Sequence, residues 1–308
     1  MSKIYIYSSL LFVTLLWGLN VIATKILVTT FAPVTMTSFR IFTAGIVAFL
    51  ILFSFKKVKV VSFTQLRYIF IASLFNVVGH HFFLSIGLTK TSASNAGLIL
   101  GLSPLISVVL ATLILKNKLT ITKAIGISTG FTGVCFVILN GASNISGISI
   151  GDLFIFLSIA TQGFSFVMIK KVTSTLDPTI MTAYMLIFGS IILFILSTIV
   201  EPDGLSSMRN GSLEVWLIFF ASAIFATGIS HMIYNRAIQE IGVAESAIFI
   251  NLIPFFSLIG AVTFLNEKIS ILQVSGFLFI VIGVLLGSGT LDRRLAIFRN
   301  RTLRKETI

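Results

Sequence analysis

The stretch IMTAYMLIFGSIILFILSTI (residues 180–199) runs for 20 residues without a charge. At ~1.5 Å per residue, a helix of this length spans about 30 Å, the thickness of the hydrocarbon core of a bilayer. Similar stretches recur along the chain and do not alternate with the period of two that a β-barrel requires. We therefore predict an all-α integral membrane protein. Its ten spans are residues 4–27, 34–55, 67–88, 93–115, 121–139, 149–171, 180–199, 213–235, 244–265 and 270–289.

The composition excludes several other classes of protein. Hydrophobic residues make up 56 % of the 308 residues and charged residues only 10 %, against roughly 25 % charged in a globular protein. A soluble enzyme, a disordered chain and a disulfide scaffold are all excluded by these values. Cys135 is the only cysteine and the three histidines show no HxxxH spacing, so we expect neither a metal site nor a cofactor.

The basic residues indicate the orientation in the membrane. Of the 22 Lys and Arg residues, 17 fall on one side of the predicted spans, four fall on the other side, and Arg40 lies within a span. Short basic connections tend to stay in the cytoplasm, so we predict that both termini are cytoplasmic, in a bacterial cell membrane. The net charge of +12 follows from this asymmetry and does not indicate nucleic-acid binding. The basic tail, residues 290–308, is either a solvated flank or a ligand for anionic lipid headgroups.

The chain contains the same unit twice. An offset of 145 residues aligns Gly18 with Gly163, Lys25 with Lys170, Pro33 with Pro178 and Thr37 with Thr182. An offset of 150 residues aligns His81 with His231, Pro104 with Pro254, Lys118 with Lys268, Gly126 with Gly276 and Gly133 with Gly283. We assign the first five-helix repeat to residues 1–140 and the second to residues 149–289. Because each repeat has an odd number of spans, the second enters the membrane from the opposite side. Inverted repeats are typical of secondary transporters, although a channel could share them.

Several motifs resemble those of a known family. They are WGLNVIATK (residues 17–25), Pro33 with Arg40, LKNKLT (residues 115–120), INLIP (residues 250–254) and FLNEKIS (residues 264–270). In this order, over residues 4–289, the chain resembles EamA-type transporters of the drug/metabolite transporter superfamily. The resemblance implies a cavity framed by spans one, three, four, six, eight and nine, and export of a small metabolite. The first half departs from the pattern at Asn117, where the second half has Glu267.

Two histidines are the first candidates for binding a substrate. The repeat places His81 and His231 at equivalent depths on opposite sides of the midplane, and each has a polar residue one turn later, Ser85 and Asn235. An imidazole could bind a hydroxyl or amine, couple transport to protons, or only pack against a neighbouring helix. We expect the adjacent His80 to point elsewhere and to have a structural role with Asn76.

Further polar residues within the spans extend the candidate site. Because the repeat makes spans one and six face the same space, Trp17 and Asn20 are expected to meet Gln162 and Ser165 there. Asn251 is a further candidate for binding. Candidates for coupling or gating are Arg40, Asn95, Glu245, Pro104 and Pro254. Arg40 could attract a carboxylate, snorkel outward or tie helix ends together. Glu245 could carry a proton or cap a helix, and the prolines could be hinges or static kinks.

These observations predict a secondary transporter that exports a small metabolite, such as an amino acid, by alternating access. A multidrug proton antiporter is the alternative within transport, and a channel or scaffold protein is the alternative outside it. The chain has no GxxxxGK[ST] loop for direct drive by ATP, and we expect no enzymatic activity. The expected partners are a small-molecule substrate, membrane lipid and, if transport is coupled, protons. The chain is expected to act as a monomer or homodimer.

Overall fold

The fold was taken from a computed structural model, which describes residues 3–115, 120–141, 149–172, 176–241, 246 and 249–287. These residues form helices and no strand. The first half contains α1 (Lys3–Thr30), α2 (Pro33–Ser54), α3 (Phe63–Lys90), α4 in two segments (Ala93–Leu100 and Ser103–Leu115) and α5 (Ile121–Gly141). The second half contains α6 (Ile150–Val172), α7 (Pro178–Val200), α8 (Leu213–Ile241), α9 (Ile253–Leu265) and α10 (Ile271–Gly287).

Each predicted span corresponds to one of these helices, and the protein is an all-α membrane protein of two inverted five-helix repeats. In the described part of the chain, α1, α2, α3, α7 and α8 are individually long and apolar enough to cross a membrane. The basic tail and Glu245 lie outside the described residues. We call the end of the bundle with the α3–α4 turn the outer end, and the end with residues 55–62 the inner end. These names follow the charge distribution.

Two helices, α3 and α8, extend well past a predicted end, and local polar contacts explain both extensions. α3 begins at Phe63, earlier than the predicted residue 67, because Ser62 and Gln65 form a capping box in which each side chain bonds the other residue's backbone N–H. α8 continues to Ile241, past the predicted residue 235. In this extension Arg236 Nε donates to Glu240 Oε1 at 3.1 Å, an i,i+4 pair that supports a helix in polar surroundings.

The helices of the two halves pack in a reciprocal pattern. α1 contacts α8 and α9 of the other half, and its repeat equivalent α6 contacts α3 and α4. Likewise α2 contacts α8, and α7 contacts α3. Three contacts join equivalent helices directly: α2 with α7, α4 with α9, and α5 with α10. The pattern is that of two units related by a two-fold axis, with α1, α3, α4, α6, α8 and α9 around the centre.

A seam of glycines joins α5 to α10 on one side of the bundle. A Cβ atom added to Gly133 would lie 2.7 Å from Gly276 O, and one added to Gly276 would lie 2.7 Å from Gly133 O. A Cβ atom on Gly283 would collide with the backbone of Gly130. The two backbones therefore touch directly, in the manner of small-residue interfaces between membrane helices.

A π-helical turn interrupts both α3 and α8, at Leu74–Gly79 and at Ser222–Ile229. At the end of each turn a backbone N–H reaches five residues back, from His80 to Phe75 and from Ser230 to Phe225. His80 and Ser230 are equivalent at the offset of 150. Turns of this kind are rare and occur often at functional sites. Here each one lies directly before a histidine of the matched pair His81 and His231.

Candidate functional site

A cavity of about 70 Å³ lies between the two halves at the centre of the bundle. Six helices contribute to its lining, and they are the same six that the family resemblance implies. The lining residues are Trp17, Asn20, Val21, Thr24, His80, His81, Leu84, Leu100, Ser103, Gln162, Ala226, Thr227, His231, Ile250 and Ile253. No carboxylate is among them, and the described part of the chain contains no group of three or more His, Cys, Asp or Glu that could hold a metal ion.

The two matched histidines meet in this cavity. The ring centres of His81 and His231 are 6.3 Å apart, and Trp17 packs against His231 with ring centres 5.1 Å apart. His81 is only 5 % exposed, and neither of its ring nitrogens has a hydrogen-bond partner among the described residues. The Oγ1 of Thr24, also buried, has no partner either. Because buried polar groups are nearly always satisfied, these atoms point to a bound ligand or water.

A buried arginine lies directly behind the cavity wall. Arg40 is 1 % exposed, so its side chain does not snorkel to the outer surface. Its Nη1 donates to Ser222 Oγ at 3.1 Å and to Thr227 Oγ1 at 2.9 Å, both in the π-helical turn of α8. Ser222 Oγ in turn donates to Asn20 Oδ1. Arg40 has no ion pair with a carboxylate among the described residues, and its guanidinium is linked to Asn20 through Ser222.

The hydrogen-bond partners determine which atoms remain for a ligand. Because Asn20 Oδ1 accepts from Ser222, the two amide N–H groups of Asn20 are left as donors. The Nδ1 of His231 lies 2.8 Å from the carbonyl of Thr227. A carbonyl only accepts, so Nδ1 carries the proton and Nε2 is left as an acceptor. The same argument applies to His80, whose Nδ1 lies 3.1 Å from Ser158 O. The cavity thus offers both donors and acceptors.

His80 differs from the expectation that it points away from the site. Its ring lines the same cavity and lies 4.7 Å from the ring of His81. Its partner is the carbonyl of Ser158 on α6, and Asn76 bonds elsewhere, donating to Ser165 Oγ at 2.7 Å. The π-helical turn changes the angular register of α3 before these residues, so the simple i,i+4 spacing from Asn76 to His80 does not describe their contacts.

The structure brings some of the candidate binding residues together and places others elsewhere. Trp17, Asn20, His81, Gln162 and His231 line the cavity. Ser165 lies one turn beyond Gln162 and is held between Asn76 and the Gln162 carbonyl. Asn235 donates to Thr182 Oγ1 of α7 at 2.7 Å. Asn251 is next to the lining residue Ile250, and its buried Oδ1 has no hydrogen-bond partner within the part of the chain that the structure describes. Ser85 donates to its own helix, at Phe82 O.

The candidates for coupling or gating lie at different depths in the bundle. Asn95 is at the outer end, where Gln273 Nε2 donates to its Oδ1 at 2.8 Å. Pro104 is next to the break between the two segments of α4, and Pro254 lies near the start of α9. A Cβ atom on Gly101, at the break, would collide with the ring of Pro254. The break in α4 therefore packs against the start of α9, where the two helices cross.

Sequence reasoning missed two residues that connect Arg40 to the cavity, Ser222 and Thr227. Both lie in a π-helical turn, which neither hydropathy nor residue spacing indicates. A comparison of the two copies could have drawn attention to this region, because it precedes His231 just as residues 74–79 precede His81.

Comparisons with known proteins agree with this architecture. The description "EamA-like transporter family" belongs to the family model that matches residues 4–139 and again residues 149–289. The chain is 30 % identical over 300 residues to the "Uncharacterized transporter YyaM" of Bacillus subtilis (strain 168), covering 94 % of this chain and 96 % of that protein. It is 24 % identical over 278 residues to the "WAT1-related protein At3g02690, chloroplastic" of Arabidopsis thaliana, covering 88 % of this chain and 66 % of that protein.

The fold is also similar to that of a solved crystal structure. The TM-score is 0.65 at 17 % sequence identity, and the match covers 96 % of this chain and 99 % of the other. The family model matches both halves of the chain, and the cavity lies between these halves. The chain belongs to the EamA-like transporter family and is a multi-pass membrane transporter.

Proposed function

We propose that this transporter exports a small polar metabolite, such as an amino acid, from a bacterial cell by alternating access. The observation that carries the proposal is the central cavity, in which buried polar atoms of His81 and Thr24 find no partner among the described residues. A ligand between the repeats would satisfy these atoms. Export and the amino-acid class come from the family resemblance, and the cavity chemistry is consistent with them.

The charge and polarity of the cavity support a substrate with both an acidic and a donor group. The Arg40 charge and the amide N–H groups of Asn20 favour an acceptor such as a carboxylate. The Nε2 atoms of His80 and His231 favour a donor such as an ammonium or a hydroxyl group. An amino acid carries both kinds of group.

The size of the cavity supports a mechanism in which the two halves move. At about 70 Å³ it is smaller than the roughly 300–1,000 Å³ of ligand pockets. A metabolite therefore requires the helices around it to separate. Inverted repeats supply such a motion, because exchanging the conformations of the two halves opens the central site to the opposite side.

The decisive experiment is a flux screen in proteoliposomes loaded with radiolabelled metabolites, including the amino acids, with and without a pH gradient. A matched pair of threonines on α1 provides the control. Thr24 lines the cavity with its hydroxyl unpartnered, whereas Thr14 is equally buried and donates to Leu11 O at 3.0 Å. For the metabolite that is transported, we expect Thr24→Val and His81→Ala to raise KM about tenfold, and Thr14→Val to leave KM unchanged.

Each outcome of this screen distinguishes between functions. Flux of a metabolite that His81→Ala weakens supports the proposal. Unchanged flux and KM in both Thr24→Val and His81→Ala would remove the cavity assignment. Accumulation of cationic drugs against a pH gradient would support the antiporter alternative. Flux that never saturates with substrate concentration would indicate a channel.

A further inference from the structure

The α3–α4 turn at the outer end, residues 88–95, is held by side chains from several other parts of the molecule. Lys25 Nζ of α1 donates to Leu88 O at 2.6 Å and to Thr91 O at 2.7 Å. From the second half, Asp152 of α6 accepts from Thr91 Oγ1, and Gln273 of α10 donates to Asn95 Oδ1. The turn thus connects α1 with two helices of the opposite repeat.

Glu267, in the α9–α10 connection, makes the most extensive of these contacts. Its Oε1 accepts from Ala93 N at 2.9 Å, and its Oε2 accepts from Ser94 N at 3.0 Å and from Ser94 Oγ at 2.5 Å. These N–H groups belong to the first turn of α4 and have no partner within the helix, so the carboxylate satisfies them and also interacts favourably with the helix dipole. One side chain of the second repeat therefore caps a helix of the first.

This turn lies over the central cavity. A polar vestibule of about 660 Å³ at the outer end is lined by Lys25, Asn95 and Glu267 among others. The cavity lining begins at Thr24 on α1 and at Leu100 on α4. The separation is thus one to two helical turns, filled by buried residues such as Leu88 and Leu98. An opening between α4 and the α9–α10 connection would join the cavity to this vestibule.

The inner side of the cavity is closed in a different way. There the buried apolar side chains of Leu10, Val13, Tyr234 and Ile238 pack together in one cluster. The cluster separates the cavity from an inner crevice of about 490 Å³ between α1 and α8. The positions that correspond to Glu267 and Ser94 in the other half are Asn117 and Ala244. An amide carries no charge and an alanine has no hydroxyl, so the sequence cannot repeat the same three-bond contact there.

We propose that Glu267 is the latch of an outer gate and keeps the unloaded cavity closed to the outside. The contact with Ala93 and Ser94 must break each time the cavity opens outward, and it forms again when α4 returns. The outer gate is held by charge-assisted bonds. The proposal rests on the proposed alternating access, since a latch has no role in a protein whose cavity never opens.

A matched control for this latch exists at the same end of the molecule. Glu201 makes the same set of contacts with the start of α2, accepting from Val34 N at 2.9 Å and from both the N and the Oγ1 of Thr35 at 2.8 Å. Its contact joins α2 to the end of α7, and neither helix lines the cavity. Glu201→Gln therefore weakens an equivalent inter-repeat cap without touching the gate.

The test measures access from outside and does not require the substrate. In a Cys135→Ser background, Val21→Cys places one thiol in the cavity wall. Right-side-out membrane vesicles are treated with a membrane-impermeant maleimide, and the rate of labelling is measured. We expect Glu267→Gln to accelerate labelling about tenfold, as the loss of charge-assisted bonds predicts. Ser94→Ala, which removes one of the three bonds, should give a smaller acceleration, and Glu201→Gln should leave the rate within about twofold.

Two results would overturn the proposal. One is an unchanged labelling rate in Glu267→Gln. The other is equal acceleration by Glu267→Gln and Glu201→Gln, which would indicate general loosening of the fold. Thermal unfolding in detergent shows whether Glu267→Gln still folds. If it does not, the labelling rate of Ser94→Ala decides whether the proposal holds. A substrate other than the proposed metabolite would leave these rates unaffected and would appear only in the flux screen.

Discussion

His81 and His231 are 150 residues apart in the chain and face each other across the central cavity, with ring centres 6.3 Å apart. Their surroundings differ despite the repeat. His231 Nδ1 is held by the carbonyl of Thr227 in its own helix, whereas neither nitrogen of His81 has a partner among the described residues. The pair therefore combines one oriented ring with one that is available to a ligand.

The first prediction concerns the proton positions on these rings. We expect His231 and His80 to be neutral with the proton on Nδ1, because each Nδ1 contacts a carbonyl oxygen. The chain has three histidines, so ¹⁵N NMR of histidine-labelled protein will show three pairs of ring signals. His81→Gln and His231→Gln variants assign them. A proton on Nε2 of His231 would contradict the geometry, and binding of substrate should shift the ring signals of all three cavity histidines.

The second prediction concerns the chain of hydrogen bonds from Arg40 to the cavity. Because Asn20 is oriented through Ser222, the two residues should act as a unit in binding substrate. In a double-mutant cycle of Ser222→Ala and Asn20→Ala, we expect a coupling energy of about 0.5–3 kcal/mol in apparent affinity. The same cycle with Thr14→Val in place of Ser222→Ala should be additive. Additivity in both cycles would show that Ser222 does not orient Asn20.

The third prediction concerns the crossing of α4 and α9. A Cβ atom added to Gly97 would collide with the side chain of Ser257. We expect Gly97→Ala to destabilise the protein by about 1–3 kcal/mol, the usual effect of overpacking, as measured by thermal unfolding in detergent. Adding Ser257→Gly should restore most of the loss. Gly163→Ala is the control, because its Cβ atom would lie 3.3 Å from the nearest side-chain atom, Ile106 Cγ2. Failure of Ser257→Gly to rescue would place the strain elsewhere.

The fourth prediction is a pH dependence at the inner end. Burial alone would raise the pKa of Asp177, but hydrogen bonds from Thr179 and from the Ile180 N–H, with the charge of Lys57, lower it overall. Asp177 caps α7, accepting from Thr179 N at 2.8 Å. A lowered folded-state pKa means that this stabilisation is complete above the unfolded value of about 3.9 and is lost as pH falls through the folded-state pKa.

Two substitutions of Asp177 check this expectation. At pH 7, Asp177→Ala should lose about 1 kcal/mol of stability through loss of the cap. The difference from the parent should shrink as the pH falls below about 4. Asp177→Asn keeps a capping oxygen without the charge, so its stability should change less with pH than that of the parent. A constant difference between Asp177→Ala and the parent at all pH values would show that the charge of Asp177 contributes nothing.

The helices were predictable from sequence because the thickness of the bilayer sets their length. Their ends were less so. The extension of α8 to Ile241 rests on the Arg236–Glu240 pair. A hydropathy pattern places the end of a span before such charged residues, so it misses this extension. The repeat was sufficient to match His81 with His231, since equivalent residues of inverted copies meet near the axis.

Other features depend on contacts between distant residues. The π-helical turns leave no signal in hydropathy, yet they place Ser222 and Thr227 beside Arg40. Asn235 has the same spacing from His231 as Ser85 has from His81, but its hydrogen bond to Thr182 takes it away from the cavity. The cap that Glu267 makes on α4 joins residues more than 170 positions apart, a separation that no local pattern encodes.

The glycine seam between α5 and α10 limits how this transporter can move. Where Gly133 and Gly276 meet, the backbones are in contact, and no flexible side chain remains between them to take up sliding. Translation of one repeat past the other would bring backbone atoms of α5 and α10 into steric clash at this edge. A rotation about the edge leaves the contact intact while the far side swings by several ångströms. For the proposed alternating access, we expect the seam to serve as the hinge, so that a bulky residue there should slow transport although it lies far from the cavity.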